Sequence, residues 1–304
     1  MKSALMICAM LFAFSACGNR ETHTLVYNVN AGDTFRYQIT VDMSMKQDFM
    51  GQTMNIGTTM EMLAVYHINS VEENSIDMDF LFESMRMDMF SDFFEMSVSS
   101  DTDAEFVTAE DISPMFRAMT NLPFNMVIDR QGNVQSMSGF EQMFDAMLSV
   151  IDEEVDEFTK QQVLAQLNQQ FSPETMQDNM GQQLVVFPEH PVRIGESWNT
   201  STTVSFGEMS MTMDAQTTLR RVNGNIAVLE IRGNFSTDAP IVQITEGMVA
   251  RTSLTGTQTG TMEIDMNTGW TVSGNIVQDM EMETEMQGMT IPQSISTVTT
   301  ILAK

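Results

Sequence analysis

The residues that could carry out acid–base or nucleophilic chemistry in this chain are few and scattered. There are three histidines, His23, His67 and His190, and two cysteines, Cys8 and Cys17. The histidines do not have the spacing of a metal-binding pair, and the sequence contains no Gly-x-Ser-x-Gly nucleophile elbow. The sequence therefore predicts a protein that is not an enzyme, with no catalytic residue, no metal site and no cofactor.

Carboxylates are abundant, but their positions indicate structure rather than catalysis. Asp77, Asp79 and Glu83 lie at alternate positions of one segment, as expected for the wet face of a strand. Glycosidase chemistry needs one carboxyl group with a raised pKa, and nothing around these residues indicates one. The segment Asp265-x-Asn267-x-Gly269 resembles the beginning of a calcium loop, but the chelating series stops there, so we expect a hairpin turn.

Methionine is the unusual residue type, with 32 in 304 residues. Many methionines alternate with polar residues and would share one face of a strand. Three interpretations stay open: core packing in place of Leu and Ile, a deformable lining for an acyl chain or another lipophile, or Met-x-Met sites for Cu(I) or Ag(I). The residues that would line an apolar ligand groove are Met43, Met45, Met60, Met62, Tyr66, Met85, Met87, Met89, Met209, Met211, Met213, Met280 and Met282.

Long alternating segments predict the strands that would position these side chains. Residues 35–46 alternate strictly between apolar and polar, and twelve residues at ~3.3 Å each span ~40 Å. Strands this long with one dry face favour a strongly curved antiparallel sheet. Further strands are expected near residues 60–68, 78–82, 184–187, 209–213 and 280–286.

Between residues 111 and 181 the apolar period changes from two to between three and four, which predicts helices. Helices are expected over 111–118, 140–151 and 155–171 and from Ser172, with a strand hairpin near 124–137. Ser138 and Glu141 have the spacing of a capping box for the second of these helices. This segment therefore reads as a mainly helical insert.

Short matching segments indicate that the β parts are diverged copies. Residues 32–35 match 195–198, the hairpin at 71–76 matches the one at 222–226, and 128–132 matches 264–269, in the same order. We expect an α+β, mainly β fold: a half-barrel-like curved antiparallel sheet built from two pseudo-repeated meanders with an inserted helical segment. The predicted single domain covers 25–304, with meanders at 25–110 and 183–304 around the insert at 111–181.

The N-terminus predicts export. Lys2 is followed by an apolar run over residues 4–14, too short to span a bilayer, and then by Ser15-Ala16-Cys17-Gly18. This order resembles a bacterial lipobox, which implies a signal peptide over 1–16, a diacylglyceryl anchor on Cys17 and a tether over 17–24. Gly18 in place of the aspartate of inner-membrane lipoproteins favours the outer membrane, facing the periplasm. The alternative is an ordinary signal peptide that contains a cysteine.

The net charge of −27 excludes a nucleic-acid binder, because the protein could not replace counterions on phosphates. Most of this charge is expected on the solvated faces of strands. An alternative is that the acidic surface docks a basic partner.

The turn segments carry a resemblance to a known family. The lipobox, residues 32–35, Ile-Asp-x-x-Gly at 128–132, the segment 188–198 and Ile-Asp-x-x-Thr-Gly at 264–269 together resemble an uncharacterised bacterial lipoprotein family, a domain of unknown function. The architecture is also similar to the half-barrel folds of lipoprotein and lipid carriers. The resemblance implies a sheet over an apolar cavity and a lipid-anchored envelope lipoprotein that binds or shields a lipophilic ligand. It supplies no catalytic residue.

Overall fold

A computed structural model of the chain describes residues 21–49, 52–101, 112–150, 184–206, 209–237, 241–245, 248–286 and 288–304. Cys17, the predicted signal peptide and the helices expected over 155–171 and from Ser172 lie outside the described residues. No helix in the described ranges is long and apolar enough to cross a membrane.

The described elements are mostly strands, several of them fifteen residues long or more. The helices are α1 (Ser113–Met119) and α2 (Phe140–Ser149). The strands are β1 (Thr22–His23), β2 (Thr34–Phe49), β3 (Gln52–Val71), β4 (Ile76–Ser91), β5 (Glu95–Ser99), β6 (Phe124–Ile128), β7 (Val134–Ser138), β8 (Val192–Arg193), β9 (Ser197–Phe206), β10 (Met209–Asn223), β11 (Ile226–Ser236), β12 (Ile241–Thr245), β13 (Met248–Asp265), β14 (Thr271–Met286) and β15 (Met289–Ala303).

Thirteen of these strands form one antiparallel sheet with the path β7-β6-β4-β3-β2-β15-β14-β13-β11-β10-β9, while β5 pairs with β4 and β12 pairs with β13. Strands β1 and β8 form a separate pair. The path has two ends, β7 and β9, so the described sheet is open. The prediction of a mainly β, curved antiparallel sheet with helical segments is confirmed.

The two predicted meanders are visible in the strand order. Strands β2, β3, β4, β6 and β7 follow one another in the first half, and β9, β10, β11, β13 and β14 do so in the second. Strand β15 joins the halves, because it pairs with β14 on one side and with β2 on the other.

The turns that open β2 and β9 repeat the same hydrogen bonds. Gly32 donates its N–H to the carbonyl of Ile68, and Gly195 donates to the carbonyl of Leu219. The carboxylate of Asp33 accepts from the N–H of Asn30, and the carboxylate of Glu196 accepts from the N–H of Arg193. The sequence match at these positions therefore reflects equivalent turn chemistry, in which an acidic side chain closes a four-residue turn.

A bulge in β4 keeps one face of the sheet apolar. Leu63 pairs with Ser84, but Ala64 pairs with Phe82, so the register shifts at Glu83. Because a shift of one residue exchanges the two faces, Phe82 and Met85 point to the same side. We call this apolar side the inner face, and the polar side the outer face.

The outer face is acidic and solvated. Asp279, Glu281, Glu283 and Glu285 are all exposed on β14, at alternate positions that share one face. The expectation that strand faces carry acidic residues is confirmed for this strand.

Three local predictions were wrong. Residues 184–187 form no described strand, because their backbone bonds the side chains of Tyr27 and Trp198 and the turn at Gln131 rather than a ladder. Thr22 and His23, assigned to the tether, form β1. The capping box does not form, since Ser138 remains in β7 and the N-cap is Gly139 at φ 95°, with no side-chain cap hydrogen bond. The helices expected over 111–118 and 140–151 correspond to α1 and α2.

The turn at Gly269 predicts a large cost for adding one methyl group. Gly269 has φ +77°, and a Cβ there would lie 2.2 Å from the carbonyl oxygen of Val26. Gly269→Ala should therefore combine a left-handed backbone penalty of about 1–2 kcal/mol with an overpacking cost of about 1–3 kcal/mol. Denaturant unfolding measures the total.

Gly32→Ala is the matched control. Gly32 has φ +92°, but a Cβ would meet nothing within 4 Å, so only the backbone penalty applies. Equal losses of unfolding free energy in the two variants would contradict the close approach at Gly269.

Candidate functional site

An apolar cavity of about 330 Å³ lies on the inner face. One wall comes from the first half of the sheet and includes Tyr37, Ile39, Val41, Met62 and Tyr66. The opposite wall comes from the second half, and the cavity is also bordered by the segment 184–186 and by Trp270. Both pseudo-repeats therefore contribute to one shared space.

The lining residues show how strongly the sheet curves. Met62 on β3 and Thr200 on β9 line the same cavity, although six strands lie between β3 and β9 along the sheet. On a flat sheet, seven strand spacings of ~4.8 Å would separate them by ~34 Å. The inner face is therefore concave, and the sheet wraps around the cavity.

Inner-face glycines provide room for this curvature. A Cβ on Gly274 would lie 2.4 Å from the sulfur of Met262, and a Cβ on Gly260 would lie 2.4 Å from the Cδ1 of Ile276. On Gly256 a Cβ would lie 2.8 Å from the side chain of Met280. Long side chains of neighbouring strands thus occupy the places that side chains at these positions would take.

A cluster of aromatic rings closes one end of the cavity. Trp270 stacks on Phe35 at 4.4 Å between ring centroids and lies 5.0 Å from Tyr66. Tyr27 meets Trp270 edge-to-face at 5.4 Å. Such pairs add about 0.5–1.5 kcal/mol each beyond the apolar area that they bury. This end of the cavity is therefore densely packed.

Hydrogen bonds fix the phenol groups of this cluster. The hydroxyl of Tyr27 bonds the backbone of Val185, donating to its oxygen and accepting from its N–H, both at 3.1 Å. The hydroxyl of Tyr37 donates to the carbonyl of Thr271 at 2.9 Å. The indole N–H of Trp270 has no hydrogen-bond partner among the described residues.

Burial raises the pKa of Tyr27, Tyr37 and Tyr66 far above the ordinary value for a phenol. For Tyr27 and Tyr37 the nearby Tyr66 raises the pKa further, because a second phenolate would repel the first. All three phenols are neutral at physiological pH.

Some polar side chains also border the cavity. The Nε2 of Gln278 donates to the Oε1 of Gln258 at 2.8 Å, and Gln258 is buried. Thr200, Thr202 and Thr299 also border the cavity. None of the described residues that line it carries a formal charge, so the cavity favours a neutral ligand.

Three of the predicted ligand residues line the cavity itself: Met62, Tyr66 and Met213. The strand registers place most of the others on the same inner face, farther along the strands. Met60 and Met62 pair with Met87 and Met85, for example. The members of this set outside the cavity are Met43, Met45, Met60, Met85, Met87, Met89, Met211, Met280 and Met282.

The methionines of the second half form a small cluster of their own. Met211 and Met213 pack with Phe235 and Leu254, and Met280 and Met282 pack against this group. The side chain of Met209 lies outside the described part of the chain, although its backbone begins β10.

Sequence reasoning missed several cavity residues. Tyr37, Ile39, Met262 and Trp270 were not among the predicted ligand residues, yet all four line the cavity. A usable signal was present in β13, where Gly256 and Gly260 fall at positions of the inward-facing period and indicate unusual space.

The other candidate residues lie away from the cavity, in structural roles. Asp77 and Asp79 both accept from the amide of Asn125, at 2.8 and 3.3 Å. Asp265 accepts from the N–H of Asn267 within a tight turn, as predicted. In the described ranges, no group of three His, Cys, Asp or Glu side chains could hold a metal ion.

The fold and the cavity define an open, curved antiparallel β-sheet protein with an apolar concave face. The sequence belongs to DUF6263, a family of unknown function, which matches over residues 73–271. No curated protein matches the chain.

Several solved structures resemble the chain distantly. A structure described as lipid–protein interactions in lipovitellin has 9% identity and a TM-score of 0.45, covering 90% of this chain. The chain spans 25% of the length of that lipovitellin chain. OpdQ of Pseudomonas aeruginosa has 7% identity and a TM-score of 0.26, covering 89% of this chain and 99% of that one. Likenesses at this level carry no argument about function.

The three phenols predict alkaline destabilisation. Tyrosines in the unfolded chain ionise near pH 10, whereas burial keeps the folded ones protonated. The unfolded state therefore loses protons first, and stability falls as pH rises above about 10, by up to about 1.4 kcal/mol per pH unit for each phenol.

Tyr37→Phe isolates one of these phenols. The variant should lose about 1 kcal/mol at neutral pH, because the bond to Thr271 is gone, but its stability should fall less steeply above pH ~10. Denaturant unfolding between about pH 8 and pH 11.5 measures both curves. Parallel stability curves for the variant and the wild type would contradict a contribution of Tyr37 ionisation to the alkaline destabilisation.

Proposed function

We propose that this protein is a non-enzymatic, lipid-anchored envelope protein that holds a lipophilic molecule in the cavity of its concave face. The supporting observation is that both halves of the sheet line one apolar space of about 330 Å³. This volume lies at the lower end of the range of about 300–1,000 Å³ for ligand pockets.

The walls of the cavity select the chemistry of the ligand. Aliphatic and aromatic side chains make up the wall from the first half, which suits a hydrocarbon chain or ring system. Gln258, Gln278 and the threonines near them offer hydrogen bonds without charge. The proposed ligand is therefore a neutral amphiphile, because a buried ionic group would have no counterion there.

The methionines suit ligands that vary in shape. Met62, Met213 and Met262 line the cavity, and the thioether side chain has three rotatable bonds and adapts to irregular surfaces. Such a lining accepts a class of related molecules better than one rigid ligand.

The cavity can be filled by substitution at one position of β10. Ala215 lines it and is buried, so Ala215→Phe should place a ring in the ligand space. We expect native mass spectrometry of detergent-extracted protein to show non-covalently bound lipid in the wild type. The bound fraction should fall roughly tenfold in the variant, which corresponds to about 1.4 kcal/mol.

Gln216→Phe is the matched control, since Gln216 is the next residue on β10 and is exposed on the outer face. It should retain the bound lipid. Overpacking at Ala215 costs about 1–3 kcal/mol, so unfolding curves must first show that this variant is folded. A wild-type protein without bound lipid, or equal lipid in both variants, would refute cavity binding.

The proposed anchor is tested separately. If Cys17 carries acyl chains, cells fed labelled palmitate should label the protein, and Cys17→Ser should abolish the label because the thiol is the attachment point. A palmitate label that survives in Cys17→Ser would remove the anchor from the proposal and leave the cavity unaffected.

Two further functions stay predictions. Docking of a basic partner draws on the acidic outer face, and such a complex should weaken with salt. Binding of Cu(I) or Ag(I) draws on methionine pairs on neighbouring strands, such as Met60 and Met87. A competition titration with Cu(I) tests the latter.

A further inference from the structure

The two ends of the sheet differ in character. The registers bring the β2–β3, β4–β5, β9–β10 and β14–β15 connections to the same end, because each joins antiparallel neighbours there. We call this the hairpin end. The opposite end carries the turns at 72–75, 129–133, 224–225 and 265–269.

Exposed hydrophobic side chains concentrate at the hairpin end. Of the six large hydrophobic residues that are exposed in the described ranges, four lie at this end: Phe90 is 61%, Phe93 76%, Phe94 44% and Met289 40% exposed, while Ile194 and Leu302 lie elsewhere. Phe93 and Phe94 form the tip of the β4–β5 hairpin. Scattered exposed hydrophobic residues are ordinary, but a projecting group of aromatic residues indicates an interaction.

Three backbone N–H groups at the tip of the β4–β5 hairpin have hydrogen-bond partners within the hairpin. The hydroxyl oxygen of Ser91 accepts from the N–H groups of Phe93 and Phe94, both at 3.2 Å. The N–H of Ser91 donates to the carbonyl of Phe94 at 2.8 Å. Moving this tip into a lipid interface would therefore leave these N–H groups paired, which lowers the penalty for placing backbone in an apolar medium.

Several strands also have an apolar residue in the sequence where they reach the hairpin end. Phe or Met is the terminal residue at the hairpin end of six strands, which are β2 (Phe49), β9 (Phe206), β10 (Met209), β13 (Met248), β14 (Met286) and β15 (Met289). At the opposite end the β3–β4 turn is Glu72-Glu73-Asn74-Ser75. The two ends of the long strands therefore differ in sequence, one being apolar and the other polar.

The inner face connects the hairpin end to the cavity. Met45 pairs with Ile56 on one side and with Ile295 on the other, and Ile295 pairs with Met280. This row of apolar residues lies between the cavity residue Val41 and the hairpin end of β2. An apolar molecule could follow this face without crossing a charged row.

We propose that the hairpin end, led by Phe93 and Phe94, inserts into the interface of a zwitterionic lipid layer. Phenylalanine side chains are favoured at the boundary between the headgroups and the acyl chains, where their rings leave water. A small projecting tip suits insertion between lipids better than docking on a flat protein surface, which needs about 800 Å² on each partner. This end would also serve as the entrance by which a lipophilic ligand reaches the cavity, a role that rests on the proposed function.

Charge restricts which lipids this end can contact. Asp92 and Glu95 flank the aromatic tip and are exposed, and the whole protein carries a net charge of −27. Anionic headgroups would be repelled at low salt, while zwitterionic ones would not.

A tryptophan at the tip tests the inference. Phe93→Trp adds one exposed indole to a full-length chain whose own tryptophans, Trp198 and Trp270, are buried. With phosphatidylcholine vesicles that contain brominated acyl chains, the added emission should shift to the blue and be largely lost to quenching. With phosphatidylglycerol vesicles the loss should be smaller at low salt and should increase at high salt.

Leu302→Trp is the matched control, because Leu302 is 46% exposed and lies at the opposite end of the sheet. Its added emission should not be quenched. An unquenched indole at position 93, or equal quenching at positions 93 and 302, would overturn the inference. Ala215→Phe in the Phe93→Trp background should leave the quenching unchanged, which separates this surface from ligand binding in the cavity.

Discussion

The constraint behind this structure is the apolar inner face, which thirteen antiparallel strands must keep from water. In the described residues two short helices cover part of that face near Phe124, far less than its full extent. The sheet curves around its inner face, so that β3 and β9 line one space from opposite sides. Wrapping needs room on the concave side, and Gly256, Gly260 and Gly274 provide it where Met280, Ile276 and Met262 cross over them. The cavity is the volume that these side chains leave unfilled.

Equivalent turns of the two diverged copies hold the same segment at one end of the sheet. The segment before β2 passes between the turn at 129–133 and the turn at 265–269. The N–H of Tyr27 donates to the carbonyl of Arg130, and the N–H of Asn28 donates to the carbonyl of Thr268. Gly132 and Gly269 both lie against this segment, and a Cβ on either would come within 3 Å of it. The equivalent acidic turns therefore hold the segment from both halves. Tyr27 then carries the contact into the core, where it meets Phe187 and Trp270.

The sequence predicted the strands and the repeat because both depend on local patterns. Alternation is unambiguous over residues 35–46, and the matched Gly-acid turns recur in order. It predicted less of the cavity, since strand registers decide which inward residues meet: Met62 and Met213 share it, whereas Met87 and Met89 lie elsewhere on the same face. The bulge at Glu83, which changes the phase of β4, has no clear local signature. Extended segments such as 184–187 were read as strands because an apolar run does not reveal whether its backbone pairs in a ladder or bonds side chains.

The difference between the two ends of the sheet follows from what each end does with its backbone. At the end with the acidic turns, side chains such as Asp33, Asp129 and Asp265 accept hydrogen bonds from turn N–H groups, which requires polar residues. At the hairpin end, the hydroxyl of Ser91 accepts the hydrogen bonds from the N–H groups of the β4–β5 tip. The neighbouring positions in this tip therefore need not be polar. A phenylalanine side chain there makes no hydrogen bond to the turn, and its exposed ring lowers solubility. A contact that removes those rings from water would account for their presence, and the apolar row through Met45 and Ile295 gives that contact a route to the interior.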